Sequence, residues 1–150
     1  MKRINCIVQE HQFSKDQIKE IEVGFRELYR THYSDEKLNI LWMILPEGYA
    51  FSERKPSDAT VIMVEVDNDI SKEKREEMMN LFSGFLLENY KISPLDSIIT
   101  VANSDWVDAF FNAQKKRVSP LFRPLITFKT MWTALMSKRQ NGFMRLRVRY

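Results

Sequence analysis

The chain has few of the residues from which metal, nucleotide and redox sites are built. Its 150 residues include four glycines, two histidines and one cysteine. The glycines form no Gly-rich phosphate loop, so a nucleotide site is not expected. His11 and His32 lie at opposite ends of a predicted helix, too far apart to share a metal ion. The single Cys6 excludes an internal disulfide and is typical of a reducing compartment, and we expect neither a metal nor a cofactor.

Long apolar runs are also absent. No stretch approaches the roughly 20 apolar residues of a membrane span, and the first residues do not form the apolar segment of a secretory signal. Hydrophobic residues make up 44% of the chain and charged residues 29%, which excludes a disordered or fibrous protein. We therefore expect a soluble cytoplasmic protein that forms one domain, residues 1–150, without membrane contact.

Acidic side chains are missing from the last part of the chain. The segment from Lys115 to Tyr150 is rich in Lys and Arg and contains no Asp or Glu, whereas the net charge of the whole chain is only +3, so the first 114 residues are net acidic. A basic tail of this kind can attract nucleic acid or acidic ligands. It can equally balance the acidic body or a neighbouring subunit. Because no aromatic platform accompanies its arginines, we do not expect nucleic acid to be the main partner.

What the sequence does contain is an internal repeat. Shifting the chain by 57 residues places "INCIV" (4–8) on "VIMVE" (61–65), and "LNILWMI" (38–44) on "LDSIITV" (95–101). Between these pairs, Ser14 falls on Ser71 and Phe25 on Phe82. The pattern predicts two equivalent halves, residues 3–45 and 60–102, followed by a C-terminal extension, residues 103–150.

Each half is predicted to run strand, helix, strand. The first helix has one apolar stripe with three- and four-residue spacing (Ile18, Ile21, Phe25 and Leu28), and Ser14 with Gln17 forms a capping box at its start. The second helix starts at the N-cap Ser71 and buries a matching stripe (Met78, Phe82, Phe85 and Leu86). Helices of this length between strands imply right-handed crossovers and parallel strands within each half.

The C-terminal extension shows weaker signals. Residues 103–124 are predicted to be irregular, and a short helix is predicted near residues 128–138. Asn141-Gly142 indicates a turn. The final "FMRLRVRY" alternates between apolar and arginine side chains, which predicts a strand with one apolar and one cationic face.

The expected fold is α/β (α+β), with a tandem β-α-β repeat that forms a four-stranded mixed sheet, two helices on one face, and the short C-terminal helix and strand. In the strand "LNILWMI" (38–44), four apolar side chains point to one side (Leu38, Ile40, Trp42 and Ile44), and Leu41 and Met43 point to the other. Both sides of this strand require burial, so we expect a homo-oligomer.

This tandem repeat resembles the tautomerase superfamily, in particular its macrophage migration inhibitory factor and cis-3-chloroacrylate dehalogenase-like branch. The resemblance covers roughly residues 3–120, including "LNILWMILPEG" and "ISPLDSIITV". It implies a trimer and a catalytic N-terminal proline whose amine transfers protons. It also implies arginines that bind the carboxylate of a substrate, a Glu that activates water, and a His and a Tyr that assist.

The sequence departs from this pattern at the site itself. The proline position falls on Arg3, and Met1 and Lys2 precede it. The arginine positions fall near Asp67 and Ile70, and the His position falls on Tyr29. The Tyr position falls near Val101 and the Glu position near Gln114. A member without the catalytic proline is therefore expected to lack the standard reaction of the family.

Several residues are candidates for a replacement site. Arg3 could bind a carboxylate while Tyr29 donates a hydrogen bond, or Arg3 could fill the old pocket and form a salt bridge. Arg54 in the central loop could reach a neighbouring subunit, or it could be an ordinary exposed loop residue. Trp106 could line an apolar ligand pocket, or it could belong to the core or an interface. Gln114 is a further candidate for a catalytic group.

Three functions follow from these residues. The leading hypothesis is a divergent protein that binds a small anionic organic molecule, or an inactive assembly component. The alternative is an active tautomerase, decarboxylase or hydratase/dehalogenase that acts on 2-keto or unsaturated acids with groups other than proline. A third hypothesis is a protein- or nucleic-acid-binding module that acts through the basic tail.

Overall fold

The computed structural model describes residues 1–46, 48–49, 51–52, 55–56, 58–117 and 119–146, and for residues 51, 52, 55, 56, 114 and 115 it describes the backbone alone. The elements along the chain are β1 (Lys2–Gln9), α1 (Lys15–His32), β2 (Leu38–Leu45), β3 (Phe51–Ser52), β4 (Lys55–Pro56), β5 (Thr60–Val66), α2 (Lys72–Tyr90), a 3₁₀ turn (Pro94–Asp96), β6 (Ser97–Asn103), α3 (Ser104–Lys116), α4 (Arg123–Asn141) and β7 (Met144–Leu146).

The main sheet is mixed and follows the order β6-β5-β1-β2-β7. Strands β1 and β2 pair in parallel, as do β5 and β6, so the parallel pairing within each half is confirmed. The two halves meet through the antiparallel pair of β1 and β5, in which Ile4 lies opposite Val64. The C-terminal strand β7 pairs in parallel with β2 and becomes the fifth strand of this sheet.

Both repeat helices begin as the sequence predicts. Ser14 accepts a hydrogen bond from the backbone N–H of Gln17, and the Gln17 side chain accepts one from the backbone N–H of Ser14, which completes the capping box. Ser71 caps α2 through the backbone N–H of Lys74. These bonds satisfy N–H groups that the first turn of a helix otherwise leaves without a partner, and so they fix where each helix starts.

The core lies between the two helices and one face of the sheet. The rings of Phe25 on α1 and Phe82 on α2 meet edge to face with centroids 4.9 Å apart. From the sheet, alternate residues of β1, β2 and β5 point into the same cluster (Ile4, Cys6, Val8, Ile40, Trp42, Ile62 and Val64). Cys6 is a core side chain with an exposed fraction of 1%, and this burial raises the pKa of its thiol.

The C-terminal extension is more helical than the sequence predicts. Residues 104–116, expected to be irregular, form α3, whose Val107 is fully buried. The short helix expected near 128–138 runs from Arg123 to Asn141, and Gly142 ends it with a positive φ of 87°. The contact of α3 with β5 and β6 supplies the burial that a local pattern does not reveal. Within the described residues, no helix has the length and apolar character needed to cross a bilayer.

The open face of the sheet is the face opposite α1 and α2. Its side chains come from the intervening positions of the strands (Arg3, Asn5, Ile7, Leu41, Met43, Val61, Met63, Glu65 and Ile98), and most are partly or largely accessible. Helix α3 reaches this face at its Arg3 end, where the Arg3 guanidinium lies 5.4 Å from the centre of the Phe111 ring.

Two helical glycines provide a matched test of the packing between α1 and α2. A Cβ at Gly24 would overlap the ring of Phe85, whereas a Cβ at Gly84 would meet nothing within 4 Å. We expect Gly24→Ala to destabilise the fold by about 1–3 kcal/mol through overpacking. Gly84→Ala should stabilise it by about 0.5–1 kcal/mol, because alanine favours the helix. Urea denaturation of both variants checks this, and equal effects would contradict the close approach of the helices.

Candidate functional site

The start of β1 is the position where the resemblance places the catalytic proline. Lys2 and Arg3 occupy it, and since side chains alternate along a strand, Lys2 points to the helix side and Arg3 to the open face. Because β5 is antiparallel to β1, the end of β5 lies beside this start, which brings Glu65 and Asp67 next to the two cations. At the position where the reaction of the tautomerase superfamily requires a neutral amine, this chain therefore has two cations that are paired with carboxylates.

Arg3 is held by two carboxylates. Its Nε donates to Glu65 Oε2 at 2.6 Å and its Nη2 to Glu65 Oε1 at 3.2 Å, while Nη2 also donates to Asp108 Oδ1 at 2.6 Å. The side chain of Glu65 is 4% exposed, so the pair with Arg3 is largely removed from water. The hydrogen bond to Glu65, followed by that to Asp108, raises the pKa of Arg3 above its ordinary value. The guanidinium is therefore a permanent cation whose charge is already compensated.

Lys2 forms a second closed cluster on the helix side. Its Nζ donates to Asp67 Oδ1 and, at 2.8 Å, to Ser104 Oγ at the start of α3. The hydroxyl of Tyr33 donates to Asp67 Oδ2 at 2.7 Å. The bond from Lys2, followed by that from Tyr33, lowers the pKa of Asp67. Burial, followed by the bond to Asp67, raises the pKa of Tyr33 to about 12. Each polar group in this cluster is engaged within the protein.

The hydroxyl of Tyr29 is bound by the backbone of Glu65, and no hydrogen bond joins it to Arg3 among the described contacts. This hydroxyl donates to the backbone oxygen of Glu65 at 2.9 Å, and the Tyr29 side chain is 1% exposed. Burial raises the pKa of Tyr29 above its ordinary value. Arg3 therefore binds the side chain of Glu65, and Tyr29 binds its backbone oxygen. Both contacts stabilise the end of β5.

The remaining candidate residues do not join this cluster in the described structure. Trp106 stacks on Phe110, with ring centroids 5.8 Å apart, and is 55% exposed. It lines a shallow cavity of about 280 Å³ with Arg75 and Thr100. Gln114 belongs to α3, but its side chain lies outside the described part of the chain, as does the whole of Arg54.

A separate cavity of about 420 Å³ lies at the end of α1, bounded by the 34–37 segment, the start of β2, Lys138 and Met144. Four cations line it, Arg26 and Arg30 from α1, Lys37 and Lys138. Arg26 is paired with Glu22 at 2.8 Å. The other three are exposed and form no ion pair within the residues that the structure describes.

The acidic residues of this cavity do not cancel its charge. Asp35 and Glu36 also line the wall, but Glu36 accepts a hydrogen bond from the amino group of Met1 at 3.0 Å. Asp35 thus opposes three unpaired cations, which leaves a surplus of positive charge beside the apolar Leu38 and Met144.

The sequence analysis did not identify this cavity. A usable signal was the pair Arg26 and Arg30, which are four residues apart and share one face of α1. Lys138 gave no such signal, because only the pairing of β7 with β2 brings it to the cavity. The structure thus places the cations without described ion pairs in a cavity at the C-terminal end of α1, which the candidate residue Tyr29 also lines, rather than at the Arg3 side chain.

The Lys2 cluster predicts a pH-dependent contribution to stability. Because the pKa of Asp67 is lower in the folded protein than its ordinary value of 3.8, the ionised carboxylate stabilises the fold above that pH. The contribution is lost as the pH falls through the pKa of the folded state. We expect Asp67→Asn to be less stable than wild type at neutral pH and the difference to narrow in acid. Urea denaturation between neutral and acidic pH measures the free energy of unfolding of both proteins, with Asp35→Asn as the control. A difference between Asp67→Asn and wild type that does not change with pH would contradict the ion pair.

Comparison with known proteins finds similarity in structure alone. No protein-family model matches the sequence, and no curated protein matches it. Among solved structures, native Ps01740 superposes with a TM-score of 0.64 at 11% identity, covering 69% of this chain and 96% of the other. N1, a member of the cis-3-chloroacrylic acid dehalogenase family, superposes with a TM-score of 0.63 at 8% identity, covering 67% of this chain and 73% of the other. The symmetric trimer of the Q0 fused 4-OT superposes with a TM-score of 0.58 at 4% identity, covering 67% of this chain and 84% of the other. The chain therefore has the fold of the tautomerase superfamily.

Proposed function

We propose that this chain is a divergent member of the tautomerase superfamily that binds a small organic anion and does not carry out proton transfer at the start of β1. The observation that carries the proposal is the distribution of unpaired charge. The cations at the proline position are compensated by carboxylates, whereas Arg30, Lys37 and Lys138 surround a cavity without such partners among the described residues. We further propose that it works in the cytoplasm as a homo-oligomer, most simply a trimer.

The groups at the start of β1 are poorly suited to acid–base chemistry near neutral pH. A general base must accept a proton, and efficient transfer requires a pKa near the working pH. The raised pKa values of Arg3, Tyr29 and Tyr33 lie far from that range. Glu65 is bound by the Arg3 guanidinium, and its side chain is almost completely buried. This arrangement favours a structural role for the former catalytic position.

The cavity at the end of α1 suits an organic acid better than a bare inorganic ion. Its volume of about 420 Å³ falls within the usual range for small-molecule sites. The guanidinium of Arg30 can bind a carboxylate with two parallel hydrogen bonds, and the two lysines add charge without a fixed geometry. Leu38 and Met144 offer an apolar wall. The expected ligand is a carboxylate with a hydrophobic part.

A homo-oligomer is supported by two observations. The Q0 fused 4-OT, which shares the fold, is a trimer. The open face of the present sheet also leaves apolar side chains such as Ile98 accessible in the single chain, with an exposed fraction of 57%. Association of copies would bury this face.

The anion site predicts charge-dependent binding of phenylpyruvate, used as a probe with one carboxylate and one apolar ring. Removal of a cation that bonds the carboxylate should weaken binding by roughly 10-fold or more, the effect of losing a charged hydrogen bond. We expect this for Arg30→Ala and Lys138→Ala, measured by isothermal titration calorimetry at low salt. The control is Lys15→Ala, which removes an exposed cation of α1 away from the cavity. Equal affinity in all four proteins would disprove the site.

The same probe tests the absence of proline-type catalysis. Wild-type protein should not accelerate the ketonisation of phenylpyruvate, followed by ultraviolet absorbance, above the rate in buffer. An acceleration that Arg3→Ala abolishes while calorimetric binding persists would establish an enzyme that uses Arg3. That result would overturn the proposal while leaving the anion cavity intact.

A further inference from the structure

Helix α4 is turned with its apolar side towards solvent. Phe128, Met131, Trp132 and Leu135 have exposed fractions between 55% and 66%, and the rings of Phe128 and Trp132 stack with centroids 6.2 Å apart. These positions lie three and four residues apart, so they form one stripe along the helix. The opposite side faces the protein with small or polar residues, among them the buried Ala134 and the half-buried Thr133 and Ser137.

The orientation of α4 is opposite to that of a typical surface helix in a monomeric domain. Such a helix buries its apolar stripe and shows polar groups to water. Helix α4 packs mainly against β7, and its large apolar side chains remain exposed among the residues that the structure describes. A contiguous exposed apolar surface of this kind marks an interaction site.

The charges beside the stripe restrict the partner. Lys129 and Arg139 are exposed on α4 and form no ion pair among the residues described, and no Asp or Glu follows Asp108 in the chain. Two copies of α4 packed against each other would therefore bring like charges together. The partner surface should instead be apolar with an acidic edge.

The open face of the sheet has both properties. Val61 and Ile98 lie side by side on β5 and β6, next to Met63 and Ile7. Two exposed acidic residues stand at the amino ends of these strands, Asp58 before β5 and Asp96 directly before β6. Neither carboxylate forms an ion pair within the described part of the chain. The rim of this face is therefore negative, whereas the flanks of α4 are positive.

We propose that the outward face of α4 packs on the open sheet face of a second copy of this chain, with Lys129 and Arg139 towards the acidic rim formed by Asp58 and Asp96. The contact is head to tail, because each copy gives a helix and receives another on a different surface. Such contacts form a ring when the rotation between copies closes, and three copies complete the trimer. This inference rests on the homo-oligomer proposed above and names the two surfaces that build it.

Substitutions on each surface test the contact. Native mass spectrometry of the wild type should give a multiple of 17.9 kDa. Both Phe128→Glu/Trp132→Glu and Ile98→Glu should shift the protein to the monomer mass while circular dichroism still reports the fold. The matched control is Val23→Glu, which places the same charge on an apolar side chain of α1 that is 65% exposed and lies outside both surfaces. This variant should keep the wild-type mass.

Mixing the two defective proteins separates a head-to-tail contact from a symmetric one. The Ile98→Glu protein retains an intact α4, and the Phe128→Glu/Trp132→Glu protein retains an intact sheet face, so together they should form a dimer of one copy each but no ring. Failure to form it would disprove the contact. An oligomer that resists the α4 substitutions would overturn this inference alone. A monomeric wild type, including one that binds anionic lipid vesicles through the same helix, would overturn the homo-oligomer as well.

Discussion

The antiparallel pairing of β1 with β5 is the contact on which the rest of the molecule depends. It joins two parallel β-α-β halves into one sheet, so that both helices cover the same face and share one core. It also determines which residues meet at the edge, because the beginning of one strand must lie beside the end of the other. The ion pairs of Lys2 and Arg3 with Asp67 and Glu65 are a direct result of this geometry.

The Arg3 guanidinium differs in its chemistry from the proline amine that the resemblance places at this edge of the sheet. A proline amine can gain and lose a proton near neutral pH, whereas arginine is always charged. Glu65 and Asp108 bind the Arg3 guanidinium, so its hydrogen-bonding groups are engaged by the protein's own side chains. The cluster then fastens α3 across the end of the sheet through Ser104 and Asp108.

Local patterns predicted the two halves well because each half is built from short-range signals. The apolar stripe of α1 and the caps at Ser14 and Ser71 involve residues three or four positions apart, and the structure reproduces them. Helix α3 was not predicted because its burial depends on contacts with β5 and β6, and among its described side chains Val107 alone is completely buried. The unusual orientation of α4 also could not be read from its sequence, since an apolar stripe normally predicts the buried side.

The candidate site could be predicted only as a position. The repeat placed Arg3 at the start of the first strand, and the resemblance aligned the catalytic proline of the tautomerase superfamily with that point. Its partners come from 62 and 105 residues further along the chain, and no local spacing connects them. The cavity cations are separated in the same way, because Lys138 joins Arg30 only after β7 has paired with β2.

The position of β7 at the edge of the sheet has a consequence for the dynamics of the cavity. An edge strand pairs with a neighbour on one side only, and such regions can open locally at a fraction of the free energy of global unfolding. Since Met144 and Lys138 reach the cavity through this strand and the helix before it, each local opening removes one wall. An anion bound between Lys138 and Arg30 adds its binding free energy to the closed state and thereby slows amide hydrogen exchange in β7. The occupancy of the cavity is thus linked to the stability of the last strand, a region that belongs to neither repeat.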